Sequence, residues 1–283
     1  MSAEHSSGQG ASPESGVKST ADAVRGVVEA VPIYQDLLQP AAKEVGKAVL
    51  TVAKTIHIVL APISAMVWGY DQIKDFVSIR VAEKLKDVSP ERLTAPPANV
   101  AGPALEALKY TGYQAELREL YANLLATSID SKTIHEAHPA FVQVIQQLSP
   151  DEAKMLRCLD ESTAAAKINI RKEAKDSSRG TWHLRHFSLL PLVAGCVAPG
   201  LGSNYLVNLA RLGLVDLLDH YELTPDGEAP YEPIISRPEV QKIAAEIAKD
   251  TNSKITIEKG AVALTPFGFQ FCAACVKEGT HKP

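Results

Sequence analysis

The chain has 283 residues, and its 29 basic and 33 acidic side chains give a formal net charge of −4 at pH 7. This balance provides no global attraction to nucleic acid or to an anionic membrane surface. A chain of this size buries about 75% of its unfolded surface, so it needs no disulfides or metals to fold. The four cysteines form no disulfide-dense pattern and the N-terminus has no secretion-signal pattern, so we expect a cytoplasmic protein.

The N-terminal part divides into a polar tail and a helical segment. Residues 1–20 are rich in Ser, Gly and Glu and are predicted to be a disordered tail, and residues 279–283 form a short C-terminal tail. Residues 21–149 are predicted to form a helical domain, because apolar residues recur at helical spacing. The break Ala95-Pro96-Pro97 separates its first helices from the central ones.

The run from Val49 to Tyr70 is apolar apart from a few residues such as Lys54 and His57, and three interpretations remain open. A membrane-spanning helix would carry Lys54 near its centre at a cost of roughly 2.5–3.5 kcal/mol, which favours a buried helix. In the third interpretation the helix lies on the inner membrane, where Lys54 reaches the headgroups. The candidate membrane or interface contacts are Lys54, His57, Trp68 and Tyr70.

The central stretch predicts a helical core. Its first apolar stripe lies at i, i+3, i+4, i+7 and i+8, and a second stripe follows from Phe141 to Leu148. Ser149-Pro150-Asp151-Glu152 has the pattern of a capping box, so a further helix is predicted from Pro150 to about Leu159. The first stripe consists of Leu117, Leu120, Tyr121, Leu124 and Leu125.

Four motifs follow one another in this stretch: AGPALEA from Ala101, ELRELYANLLA from Glu116, HPAFV from His138 and LSPDEA from Leu148. As an ordered set they resemble the bacterial Abi-alpha family, whose members are described as phage abortive-infection proteins. The resemblance extends from about Pro32 to Cys275. It implies a role in defence against phage, and it supplies no catalytic residues that could be carried over.

Residues 150–278 are predicted to form a winged-helix-like α+β domain, in which residues 161–185 are a basic loop or linker. Ser203 or Asn204 can cap a helix that ends at Gly213, and Leu214–Leu218 reads as a strand. A hairpin is predicted around Lys259-Gly260, and Thr265 can cap a last helix. The predicted fold is mainly α: a helical bundle followed by a winged-helix-like domain with a small antiparallel sheet.

No reaction centre can be identified from the motifs. Cys272 and Cys275 form a CxxC without a second pair, and the glycine-rich stretch before Ser203 lacks the Gly-Lys-Ser/Thr of a P-loop. Two histidine pairs have i, i+3 spacing rather than the HExxH pattern of zinc hydrolases. We therefore predict no catalytic residues, no metal, no cofactor and no small-molecule substrate. The two pairs are His135 with His138 and His183 with His186.

The first functional hypothesis is a non-enzymatic anti-phage protein that acts through contacts with a partner protein or a second copy, and through membrane association of the Val49–Tyr70 run. The alternative is a winged-helix regulator that binds nucleic acid. The segment from Ser203 to Gly213 carries Arg211 as its one basic residue, which favours protein contacts. An enzyme with an unrecognised site remains open. The nucleic-acid alternative would use Lys167, Arg171, Lys172, Lys175 and Arg211.

Overall fold

The computed structural model describes residues 67–162, 164–176, 179–223 and 230–277, in which helices accompany a four-stranded antiparallel sheet. The predictions for the two tails, and for Lys54 and His57 in the apolar run, lie outside the described residues. A mainly helical fold with a small antiparallel sheet is thereby confirmed for the part of the chain that the structure describes.

The helical part begins with α1 (Tyr70–Phe76), which continues through a π-helical turn (Val77–Val81) and a short turn (Ala82–Lys84). The central helix is α3 (Ala115–Ile129), in which every residue from Leu120 to Ala126 is buried. The apolar stripe predicted on this helix is therefore confirmed. The helices of this part are α1 (Tyr70–Phe76), α2 (Ala98–Thr111), α3 (Ala115–Ile129), α4 (Ala140–Gln146) and α5 (Pro150–Ser162).

The capping box at the start of α5 is confirmed. The Ser149 amide donates to the Glu152 carboxylate at 2.6 Å, and the Glu152 amide donates to Ser149 Oγ at 3.3 Å. Two backbone donors that the helix itself leaves without partners are thereby satisfied.

The sheet has the strand order β2-β1-β4-β3, and each pair of neighbours is antiparallel. The first strand pairs with the last along its whole length, from Ala164 opposite Ala263 to Ala174 opposite Ser253. The strands are β1 (Ala164–Ala174), β2 (Gly180–Ser188), β3 (Val215–Asp219) and β4 (Ser253–Leu264). The intervening and closing helices are α6 (Leu190–Val193), α7 (Gly202–Arg211), α8 (Glu232–Ile235), α9 (Pro238–Ala248) and α10 (Pro266–Phe271), and α10 leads into a π-helical turn (Cys272–Val276).

Two predictions of local structure were wrong. The segment 161–185 is not a basic loop, because β1 and most of β2 lie within it. Two of its basic residues have acidic partners: Lys172 pairs with Asp250, which lies between α9 and β4, at 2.7 Å, and Arg171 pairs with Glu173 at 3.4 Å. The hairpin at Lys259-Gly260 is also absent, since both residues lie within the continuous strand β4.

Three further elements in this region follow the predictions. The helix before Gly213 is α7, although its cap position is Leu201 and not Ser203 or Asn204. The predicted strand Leu214–Leu218 corresponds to β3. Thr265 caps α10 by accepting a hydrogen bond from the Gly268 amide at 2.8 Å.

Two apolar clusters pack against the sheet. The larger contains residues of α1 to α5 together with α7, β3, β4 and the C-terminal turn, so residues on both sides of the predicted boundary at 149–150 share one core. The smaller lies between β1 and the helices α8 and α9. It contains Ile168, Ile170, Tyr231, Ile234, Val240 and Ile247.

Candidate interaction surface

The stretch of chain from α6 through α7 exposes apolar side chains. Val193 is 74% exposed and Val197 is 86% exposed, and three further apolar side chains nearby in the sequence are exposed. Several exposed apolar residues within one short stretch of chain, rather than an isolated one, are a pattern expected of a protein contact site. We call this set the α6–α7 surface; it consists of Leu192, Val193, Val197, Leu201 and Val207.

A buried carboxylate fixes the backbone of this surface. Asp151, in the first turn of α5, accepts hydrogen bonds from the amides of Val197 at 2.9 Å and Ala198 at 3.0 Å, and from the Tyr205 hydroxyl at 3.2 Å. Burial raises the pKa of Asp151, but these hydrogen bonds outweigh burial and hold the pKa below its ordinary value. The carboxylate therefore stays ionised. Its hydrogen bonds fix the backbone of the turn that carries the exposed Val197.

Polar side chains near the C-terminal end of α7 bond to Gln147, in the connection between α4 and α5, and to Glu152 at the start of α5. Asn208 Nδ2 donates to Glu152 Oε1 at 2.8 Å and to the Gln147 carbonyl at 3.1 Å. The Arg211 guanidinium donates to Gln147 Oε1 at 2.9 Å and to Asn208 Oδ1 at 2.8 Å. Arg211 is thus bonded within the protein, and α7 carries no other Lys or Arg.

The other residues of the nucleic-acid hypothesis lie on the first strand and just after it. Lys167 is fully buried and bonded to Asp219, and Lys172 pairs with Asp250. Arg171 lies over the Trp182 ring, and Lys175 is exposed after the end of β1. Arg211 lies on α7, a different element.

Of the four candidate membrane contacts, Trp68 and Tyr70 lie in the part of the chain that the structure describes, and their surroundings differ. Trp68 packs edge-on against Phe76, with ring centroids 5.5 Å apart, and its amide donates to the Lys109 carbonyl at 2.9 Å. Tyr70 is 79% exposed. No helix in the described ranges has both the length and the apolar character that crossing a membrane requires.

The CxxC cysteines are packing residues of the C-terminal π-helical turn. Both are fully buried, and burial raises the pKa of Cys272 to about 12 and that of Cys275 well above its ordinary value. Asn123 of α3 donates to the Cys275 carbonyl at 2.7 Å, which ties this turn to the central helix. Within the described residues, no group of three His, Cys, Asp or Glu side chains could hold a metal ion.

Sequence reasoning missed the α6–α7 surface. The available signal was the run from Leu192 to Leu201, which is apolar, contains no charge, and carries glycine and proline instead of a helical or strand period. Such a run cannot be told from a buried loop until its exposure is known. The hydrogen bonds that Asp151 accepts come from residues 46 or more positions away in the sequence, so a local sequence pattern does not reveal them.

The fold defines the class: a mainly helical protein with a small antiparallel sheet. The family model of abortive infection alpha (Abi-alpha) matches residues 69–275, and the chain therefore belongs to this family. No curated protein matches the chain. Among solved structures, an uncharacterized protein from the hydrocarbon-degrading marine bacterium Alcanivorax borkumensis SK2 is 23% identical to this chain, with a TM-score of 0.36. That alignment covers 48% of this chain and 92% of that chain.

Proposed function

We propose that the chain is a non-enzymatic component of abortive infection and that it acts through protein contacts at the α6–α7 surface. Membership of the Abi-alpha family supports the role in defence. The observation that carries the proposal is the exposure of Val193 and Val197, 74% and 86%, beside a backbone that Asp151 holds in place. Covering such side chains is favourable by roughly 25 cal/mol per Å². An ordered turn also loses little conformational entropy when a partner binds.

We further infer that the sheet and its helices form a winged-helix-like contact module, with α7 in the position of the recognition helix. The order α5, β1, α6, α7, β3, β4 supports this inference, as does the antiparallel pairing of β3 with β4. The additional strand β2 and the helices between β3 and β4 are departures from the simplest form of that fold. Because Arg211, the one basic residue of α7, is bonded to Gln147 and Asn208, and Val207 of the same helix is exposed, α7 favours a protein partner over DNA.

Peripheral contact with the inner membrane is a second candidate function. The favouring observation is Tyr70, which is 79% exposed at the end of the apolar run that begins at Val49. Lys54→Glu should then weaken binding of the full chain to anionic vesicles, since a cation at the headgroups would be lost. Vesicle binding that is unchanged in this variant would exclude the membrane candidate.

Site-directed photo-crosslinking tests the protein-contact proposal. A photoreactive amino acid is placed at Val197 of the full chain, and a matched control carries it at Ile79, which is 70% exposed on another helix. During phage infection we expect a discrete protein adduct from position 197 and none from position 79. An adduct of twice the chain's mass identifies a second copy as the partner. The absence of an adduct at 197, or equal adducts at both positions, would contradict the proposal.

A further inference from the structure

Four separate segments of the chain line a pocket of about 210 Å³ beside the central helix α3. They are the turn that follows α1, α3 itself, the 3₁₀ turn Ile134–Glu136 with the residue before it, and the C-terminal π-helical turn with Lys277. A pocket of this volume has room for several waters or for one small molecule. Single π-helical turns inside helical segments are frequent at functional sites.

The polar side chains of this pocket have acceptors to spare and no donors. Asn123 is 5% exposed, and its Nδ2 already donates to two carbonyls of the C-terminal turn, at 2.7 and 3.4 Å. Thr127 Oγ1 donates to the Ala274 carbonyl at 3.0 Å, and Thr133 Oγ1 donates to the Thr127 carbonyl at 2.9 Å. Because an amide has two such hydrogens and a hydroxyl has one, these three side chains retain only lone pairs for a ligand.

One of these acceptors lacks a hydrogen bond altogether. Asn123 Oδ1 is buried, and it has no partner among the described residues. Nearly all buried polar side-chain atoms of folded proteins are hydrogen-bonded, so an exception calls for an explanation. A molecule that brings N–H donors into the pocket would supply the missing bond.

The uncompensated charge at the pocket is negative. In the part of the chain that the structure describes, four charged side chains line it, and three of them are paired with residues outside it. The fourth is Glu136, whose ion-pair partner is the exposed His135 at 3.9 Å, a group that is charged only when protonated. The three compensated pairs are Lys84 with Glu119 at 3.1 Å, Lys277 with Asp160 at 3.6 Å and Asp130 with Arg92 at 2.9 Å.

We propose that this pocket binds a small aliphatic primary amine in its ammonium form. The ammonium group donates hydrogen bonds to Asn123 Oδ1 and Thr127 Oγ1, and its charge offsets that of Glu136. The carbon chain of the ligand packs on the aliphatic part of the lining. A carboxylate would instead set its oxygens against these lone pairs. The inference goes beyond the proposed protein contacts and does not depend on them. The aliphatic lining residues are Leu85, Val88, Ala126 and Ala273.

Nuclear magnetic resonance titration of the isotope-labelled full chain, in an amine-free buffer, tests the class of ligand. The probes are n-butylamine, n-butanol and butyrate, which share an aliphatic chain and differ in charge and donors. We expect saturable shifts at residues 123–127 and 273–277 with butylamine, a Kd of about 1 mM, binding of butanol at least about tenfold weaker, and no binding of butyrate. The proposal is overturned if butylamine causes no saturable shift up to about 20 mM, or if butanol or butyrate binds as tightly.

Two variants and a matched control test the location. Glu136→Gln keeps the size of the side chain and removes its charge, so it should weaken butylamine binding at least about tenfold. Glu246→Gln, at an exposed position on α9, should leave binding unchanged. Ala273→Leu should fill the pocket and abolish binding. The unfolding midpoint is measured for each variant, and if Ala273→Leu does not fold, Glu136→Gln decides. Wild-type affinity in a folded Glu136→Gln or Ala273→Leu variant would overturn the proposal.

Discussion

Lys167 on β1 and Asp219 on β3 form an ion pair that crosses over the strand between them. Strand β4 lies between β1 and β3. Lys167 pairs with Gly260 along one edge of β4, and Asp219 pairs with the same glycine along the other edge. Lys167 is fully buried, and its Nζ reaches Asp219 Oδ1 because position 260 has no side chain. Asn169 Nδ2 donates to the same oxygen at 2.9 Å. The pair therefore fastens β1 to β3 and marks where the apolar core of this face ends.

Gly260→Ala should destabilise the protein by roughly 1–3 kcal/mol, the usual cost of overpacking. The added Cβ would lie 2.4 Å from the Leu218 carbonyl oxygen and 2.9 Å from Lys167 Nζ, and neither the strand nor the buried ammonium can withdraw easily. Urea unfolding measures the change. Gly200→Ala is the matched control because nothing lies within 4 Å of the Cβ it would add. Equal stability of the two variants would contradict this account of Gly260.

Asp219→Asn should lower the free energy of unfolding by roughly 1–3 kcal/mol. Removing one partner of a buried pair costs about 3–5 kcal/mol, and we expect less here because the Asp219 side chain is 39% exposed and water screens it. The matched control is Asp216→Asn, an exposed carboxylate on the same strand but on the opposite face. If both substitutions cost the same, the ion pair is not what fastens the strands.

His186 should make stability depend on pH. Burial and the nearby charges of Lys167 and Arg185 lower the pKa of His186 below its ordinary 6.5. Below that value the unfolded chain takes up a proton that the folded protein resists, so the stabilisation from neutral His186 is complete above pH 6.5 and is lost as the pH falls.

The matched variant is His186→Asn, because asparagine tolerates the positive φ of 54° at this position. Urea unfolding at about pH 7 and about pH 5 should show a smaller pH dependence in the variant than in the wild type. The other histidines contribute equally to both proteins. Identical pH dependence would mean that His186 is not shielded from protonation.

Asp151→Asn should loosen the α6–α7 surface. The carboxylate accepts the Val197 and Ala198 amides on different oxygens, and an amide side chain would set an NH2 group against one of these donors. We expect a loss of about 1–3 kcal/mol, the cost of leaving a polar group unsatisfied. Amide hydrogen exchange at residues 196–198 should accelerate, while Asp71→Asn, at an exposed position on α1, should not change it. Unchanged exchange would show that the turn is fixed by other contacts.

The elements that the sequence predicted correctly are those fixed by neighbours in the chain. The start of α5 was predictable because Ser149 and Glu152 are three residues apart and satisfy each other's amides. Thr265 was recognisable as a cap for the same reason, since it bonds the Gly268 amide. The central helix α3 followed from the spacing of its leucines, which become its buried face.

The sheet was missed where distant residues determine it. The lysines and arginines of β1 suggested a solvated loop, because Asp250, the partner of Lys172, lies far along the chain. Gly260 suggested a turn, whereas its role is to leave space for Lys167 between two strands. The α6–α7 surface escaped detection because its order depends on Asp151, which belongs to another helix. Patterns within a segment do not contain these relationships.

The most direct test of the proposed function is the efficiency of phage plating on cells that express the full chain. The double variant Val193→Asp, Val197→Asp adds charge to the α6–α7 surface without touching the core, and Ile79→Asp adds charge at another exposed apolar position. Expression level and unfolding midpoint are measured for each protein. We expect the wild type and the Ile79 variant to suppress plaques and the double variant to lose suppression. Full suppression by a folded double variant would contradict the proposal that this surface carries the defence.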